Sequence, residues 1–263
     1  MNGSENATTS VYVADFSYHP IAIISCIIFL INYKIIGPKI SSFLTDKYAG
    51  LPKAKKVDWN TRVNSTVHAT IVSIICVYLF IYDEKVNEDP VWGESPMVRT
   101  TCAVVVGYMV SDILIVLYHW KELGEFFFIF HHAASIYAYL FVITYGVLPW
   151  FANFRLIAEF STPLVNQRWF LDAIEHDKSS KVFVVNGVSM SIIFFLVRIA
   201  VLPVYWGRVY SYYGTASALR VGRMWFVLVS SCAVLDSINI FWMYRIYRGL
   251  KKVIKAKREA KSN

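Results

Sequence analysis

Apolar residues gather into seven stretches, 17 to 36, 63 to 82, 97 to 118, 126 to 145, 149 to 167, 182 to 206 and 222 to 246, with short polar segments between them. Each stretch approaches the roughly 20 residues that an α-helix, rising 1.5 Å per residue, needs to cross about 30 Å of hydrocarbon. The pattern predicts an all-α polytopic membrane protein of about seven transmembrane helices. The fifth stretch is interrupted by Asn153, Arg155, Glu159, Pro163, Asn166 and Gln167. Pro163 lacks the amide proton that a continuous helix uses, so this segment is expected to be short, kinked or re-entrant and buried among the others.

Composition supports the membrane class, since 56% of the 263 residues are hydrophobic and only 17% are charged, too apolar for a water-facing globule. The net charge of +8 would raise nucleic acid as a partner for a soluble chain, but its distribution points to topology instead. Nineteen of the 26 Lys and Arg residues fall on one side of the seven stretches, in the segment Lys34 to Arg62, at Lys121, between Arg168 and Lys181, and from Arg245 onward. Basic residues flanking spans are retained in the cytosol. The C-terminus is therefore expected in the cytosol and the N-terminus in the lumen.

Four regions follow: a lumenal tail (1–19), a first transmembrane anchor (17–36), a main domain (53–254) and a basic cytosolic tail (247–263). Asn2-Gly-Ser and Asn6-Ala-Thr are glycosylation sequons on the tail placed in the lumen. That tail lacks the basic cluster of a cleaved signal peptide, so the first stretch reads as a retained anchor. Cys26, Cys76, Cys102 and Cys232 all lie in apolar stretches without metal-ligand spacing, and read as small packing residues. No metal site is expected. Trp92, Trp150 and Trp206 near span ends read as interfacial anchors.

The ionisable residues inside the spans carry the information, because a charge at the bilayer centre costs about 2.5 to 3.5 kcal/mol even on the most lenient scale. Asp112, Arg155, Glu159, Arg198 and Asp236 are joined there by His68, His131, His132, Asn153, Asn186 and Asn239. They are expected to face one another or a wet central cavity. In regular helices Arg155 and Glu159 share a face four residues apart, Asp236 and Asn239 lie three apart, and Asp112 precedes His119 by seven. His131 and His132 diverge by about 100° around their helix, so one should face the centre and the other a neighbouring helix. Two readings stand side by side. These groups are interhelical hydrogen bonds worth about 0.6 kcal/mol each, or the imidazole pair and Glu159 form a proton-transfer site in a low-dielectric cavity.

Several motifs are similar to one family. His131-His132-Ala-Ala-Ser135 is followed by Asn153-Phe-Arg155-Leu-Ile-Ala-Glu159-Phe-Ser-Thr162-Pro-Leu-Val-Asn166-Gln-Arg168-Trp169-Phe170, and preceded by Trp59-Asn60-x-Arg62-x-Asn64-Ser65-x-x-His68 and Gly107-Tyr108-x-x-Ser111-Asp112. Together they resemble the TLC domain, shared by the translocating-chain-associated membrane protein, the ceramide synthases and the Batten-disease-linked member. The resemblance implies that six of the spans form a TLC-type bundle with a central polar cavity, that the membrane is that of the endoplasmic reticulum, and that the partners are membrane lipids. In the ceramide synthases it also implies acyl transfer from acyl-CoA, using the double His and an Asp-x-x-Asp pair on the next helix. Glu159 stands at the first Asp position, but Thr162 stands at the second. Half of that site is missing.

Three functions are compatible with seven spans. The preferred one is a protein of membrane lipid homeostasis that binds a lipid in its intramembrane cavity, with no cofactor, lined by His68, Asp112, Asn153, Arg155, Arg198, Asp236 and Asn239. The alternative is a lipid acyltransferase in which His131 or His132, oriented by Glu159, acts as base, with Arg155 expected to pair with Glu159 and weaken it. A seven-span receptor is disfavoured, because no Asp-Arg-Tyr follows the third span and no Asn-Pro-x-x-Tyr ends the seventh. Six His in total, only two of them adjacent, also fall short of a di-iron hydroxylase's ligand set.

Overall fold

A computed structural model describes residues 13–124 and 126–262, with side chains described as far as Lys251. The sequons at Asn2 and Asn6 and most of the basic tail lie outside the described side chains. Among the described residues six helices are long and apolar enough to cross a membrane: α1 (His19–Leu44), α2 (Lys53–Tyr82), α3 (Pro96–Tyr118), α4 (Phe126–Tyr145), α7 (Lys181–Tyr212) and α8 (Arg223–Lys251 within a longer helix). The fifth apolar stretch is the exception. It forms α5 (Pro149–Arg155) and α6 (Thr162–Ala173), joined by a 3₁₀ segment, Leu156–Ser161. The all-α polytopic architecture stands, with this broken helix in place of a seventh regular span. The first anchor also runs past residue 36 to Leu44.

Three irregular stretches have a common cause. A π-turn at Asn32–Ile36 precedes Pro38, the 3₁₀ segment Leu156–Ser161 precedes Pro163, and a second π-turn at Leu196–Ala200 precedes Pro203. A proline ring cannot donate to, and clashes with, the carbonyl four residues back, so the turn before it rewinds. Regular helix starts are set by side-chain caps, with Ser95 accepting from the Val98 amide and Ser180 from the Phe183 amide.

The helices close a ring in the order α2, α3, α4, α8, α7, α6 and back to α2, with α1 packed outside against α3. One end of this ring is filled solidly by Val91, Val147, Phe151, Tyr205, Val221 and Met224. That end is tied by Arg99, which pairs with Asp15 at 2.9 Å, donates to the Ile143 carbonyl at 2.6 Å and lies 4.1 Å over the Tyr18 ring. The Ser17 backbone amide donates to Asp15 at 2.9 Å, and its hydrogen bonds, with Arg99 adding to them, hold this carboxyl below the usual carboxylate range. The opposite end carries Lys53, Lys55, Lys56, Lys121 and Arg245 and is the basic end of the molecule.

Helix α1 is held by backbone proximity. A Cβ on Gly107 of α3 would lie 2.3 Å from the Ala22 carbonyl oxygen and 2.6 Å from the Ser25 Cβ, and the Ser25 hydroxyl donates to the Val104 carbonyl at 2.9 Å. Small residues let membrane helices approach this closely. Gly107→Ala is expected to destabilise the protein by about 1 to 3 kcal/mol through overpacking. Gly207→Ala, whose Cβ would meet nothing within 4 Å, should leave stability unchanged. Thermal unfolding of the two variants in the same detergent provides the comparison, and equal midpoints would contradict the packing account.

Candidate functional site

A cavity of about 550 Å³ occupies the basic half of the ring. Its walls are apolar, built from Met109 and Val116 of α3, Phe128 of α4, Val165 of α6, Met190 and Phe194 of α7, and Trp242 of α8. Its polar lining includes Asp112, His131, His132, Glu159, Thr162 and Arg198. The volume lies within the range of small-molecule sites. The mouth is bordered by the short helix Trp120–Leu123 and by Arg245.

The two histidines of α4 are held differently. His132 is pinned on both ring nitrogens, with Nδ1 2.9 Å from the Phe128 carbonyl oxygen and Nε2 3.2 Å from Asp112 Oδ2. A carbonyl only accepts, so this geometry assigns the proton to Nδ1. A second proton then lies between Nε2 and Asp112, because two lone pairs would otherwise oppose each other. The pair is net neutral wherever that proton sits. His131 lies 5.4 Å from the Trp242 ring, and its buried Nδ1 has no hydrogen-bond partner among the described residues. His131 lines the cavity with another part of its ring, since Nδ1 itself is buried.

Glu159 and Arg198 sit in the two rewound turns, Leu156–Ser161 and Leu196–Ala200. Residues three apart eclipse in a 3₁₀ helix, which brings Thr162 over Glu159. The Thr162 hydroxyl donates to Glu159 Oε2 at 2.9 Å and accepts from Arg198 Nη2 at 3.2 Å. Arg198 also donates to the Ser161 hydroxyl at 2.8 Å and to Asn239 Oδ1 at 2.9 Å. Thr162, at the position where a second carboxylate was sought, is therefore a bridge between a buried guanidinium and the remaining carboxylate.

The expected Arg155 to Glu159 pair does not form. Over 3₁₀ geometry a four-residue step turns a side chain by about 120° away from its partner instead of the 40° of an α-helix. Arg155 instead pairs with Asp236 at 2.5 Å, and Trp206 Nε1 donates to the other Asp236 oxygen at 2.8 Å. Asp112 likewise meets His132 on the adjacent helix, not a partner seven residues along its own. Five residues expected to line the cavity sit behind its wall. His68 is stacked on Tyr108 with ring centroids 3.9 Å apart, Asn153 exchanges hydrogen bonds with Cys76, Arg155 and Asp236 face each other, and Asn239 supports Arg198.

Sequence reasoning missed Ser161, Trp206 and Trp242. Trp206 looked like an interfacial anchor, and nothing in its spacing marked it as a donor to Asp236. The four cysteines are free. Among the described residues no three His, Cys, Asp or Glu side chains gather as metal ligands.

A ring of helices long and apolar enough to cross a membrane, closed around a cavity of mixed polarity, defines a multi-pass membrane protein. The sequence pattern of the TLC domain matches residues 58–248, and the chain belongs to the TLC domain family, a family of membrane proteins linked to lipid handling. Over 230 residues it is 46% identical to TLC domain-containing protein 4-B of Danio rerio, covering 87% of each chain. It is 41% identical over 243 residues to TLC domain-containing protein 4 of Homo sapiens, covering 91% of each. It is 25% identical over 251 residues to topoisomerase I damage affected protein 4 of Saccharomyces cerevisiae, covering 89% of this chain and 84% of the relative. No solved structure matches.

Removing one member of a buried ion pair strands the other charge, at about 3 to 5 kcal/mol. Asp236→Ala is accordingly expected to lower the unfolding midpoint sharply. Adding Arg155→Leu to it should recover part of the loss, since no unpaired guanidinium then remains. A double variant less stable than Asp236→Ala alone would contradict the pairing.

Proposed function

We propose that this protein binds a membrane lipid in its intramembrane cavity and thereby takes part in membrane lipid homeostasis. The observation that carries this reading is the cavity itself, with aliphatic and aromatic walls suited to acyl chains and a floor of convergent polar groups that includes the His131 imidazole and Glu159. We place the N-terminus in the lumen and the C-terminus in the cytosol of the endoplasmic reticulum membrane, on the basic-residue asymmetry and the family's lipid association. The mouth then opens toward the cytosolic leaflet. Asn2 and Asn6 remain glycosylation candidates in this orientation, and loss of an endoglycosidase-sensitive mass on replacing both would support it.

Lipid extracted from the purified protein tests the binding reading. One lipid class should be retained in near-stoichiometric amount by the native chain and depleted severalfold by His131→Trp, which fills the floor. A lipid profile identical to the bulk membrane in both would contradict it.

A second reading is favoured by one contact. Asp112 supplies His132 with a carboxylate from the preceding helix, partly replacing the one absent at Thr162. In an acyltransferase built on this arrangement, acyl-CoA would donate the acyl group to a lipid hydroxyl or amine. His131 would take the nucleophile's proton as the new ester or amide bond forms, then return it to the departing thiolate. Incubating the purified protein with acyl-CoA and sphingoid bases or lysolipids checks this. Turnover abolished in His131→Ala would establish catalysis, and product no greater than without protein would remove this reading.

A further inference from the structure

The charge pattern of the cavity identifies what kind of headgroup fits. Besides the His131 imidazole, the inner floor holds four charged or titrating groups in two sets. Asp112 and His132 share one proton between Nε2 and Oδ2 at 3.2 Å, with His132 Nδ1 committed to the Phe128 carbonyl. This set carries no net charge in either arrangement of the proton. Arg198 and Glu159 are joined through the Thr162 hydroxyl at 3.2 and 2.9 Å, and their charges cancel as well. Farther out, Arg62 is balanced by Asp58 at 2.8 Å. Surplus positive charge is confined to the mouth, whose lining includes Lys121 and Arg245 with Glu122. Among the described residues no unbalanced Lys or Arg is left inside to neutralise a phosphate.

A net charge placed in a low-dielectric site is strongly disfavoured unless an opposite charge meets it. A phosphate at this floor would also lie beside the Glu159 carboxylate, and as an acceptor it could offer nothing to a carboxylate oxygen. A hydroxyl suits both free positions, because it donates and accepts. It can donate to the Glu159 carboxylate or bond to the cavity-lining part of the His131 imidazole.

We infer that the lipid held by this cavity has an uncharged, hydroxyl-bearing headgroup without phosphate, of the diacylglycerol type. This inference rests on the lipid-binding reading of the same cavity. It concerns the inner floor, and the positive mouth serves only as the approach from an anionic leaflet.

The test uses the full-length protein in nanodiscs with two photoreactive probes of identical acyl chains, a diacylglycerol and a phosphatidic acid, which differ only by the phosphate. Crosslinks are mapped to peptides and each probe is competed by its unlabelled counterpart. Diacylglycerol is expected to label wall residues such as Met190, Phe194 or Trp242, and to compete at least tenfold more effectively than phosphatidic acid. In Glu159→Gln the floor gains one net positive charge, so the preference should narrow at least fivefold. Phosphatidic acid labelling the same wall equally well or better would overturn the inference while leaving lipid binding intact. Labelling of the cavity by neither probe, with crosslinks only on the outer helix faces, would overturn the lipid-binding reading and this inference with it.

Discussion

An ionised side chain cannot be left facing hydrocarbon, and the arrangement of this protein follows from where its few intramembrane charges find partners. Arg155 on α5 meets Asp236 on α8, Asp112 on α3 meets His132 on α4, and Arg198 on α7 reaches Glu159 through Thr162 at the start of α6. Each contact joins two different helices, and every member of the ring except α2 takes part in one of them. That helix is attached by its own polar contacts at the basic end, where Arg62 donates to Asn166 and Asn166 donates back to Thr66. Apolar packing between membrane helices discriminates little against apolar lipid. The polar pairs therefore give the ring its register, and the cavity is the space enclosed where they stop.

The prolines connect this register to the site. Without Pro163 the fifth apolar stretch would be a single helix, Arg155 and Glu159 would share a face, and the guanidinium would be drawn to its own helix. The rewound turn separates them, sends Arg155 toward α8 and stacks Thr162 on Glu159. The π-turn before Pro203 holds Arg198 at the other side of the same bridge. Two backbone irregularities thus carry two of the charged groups of the cavity floor, Glu159 and Arg198, where freed backbone groups can be buried in protein.

The sequence made the class, the helix count to within one broken segment, and the identity of the intramembrane charges legible. Hydrophobic length and the cost of buried charge are local properties. It did not make their partners legible, because those depend on helix phase. The Arg155 and Glu159 spacing was a sound inference for an α-helix and failed on a 3₁₀ turn that Pro163 foreshadowed. The divergence of His131 and His132 by about 100° was readable. That His132 is the pinned one required the position of Asp112 across the α3–α4 interface. Trp206 and Ser161 carried no signal, since indoles near span ends and serines in helices are ordinary.

The central claim is that the intramembrane polar groups converge on a floor that holds a lipid, with His131 free to meet it. A density map of the native protein in nanodiscs tests it most directly. The account predicts an elongated feature between Met190, Phe194 and Trp242 whose polar end lies within hydrogen-bonding distance of His131 or Glu159. An empty cavity whose floor is closed by direct contact between those two side chains would contradict it.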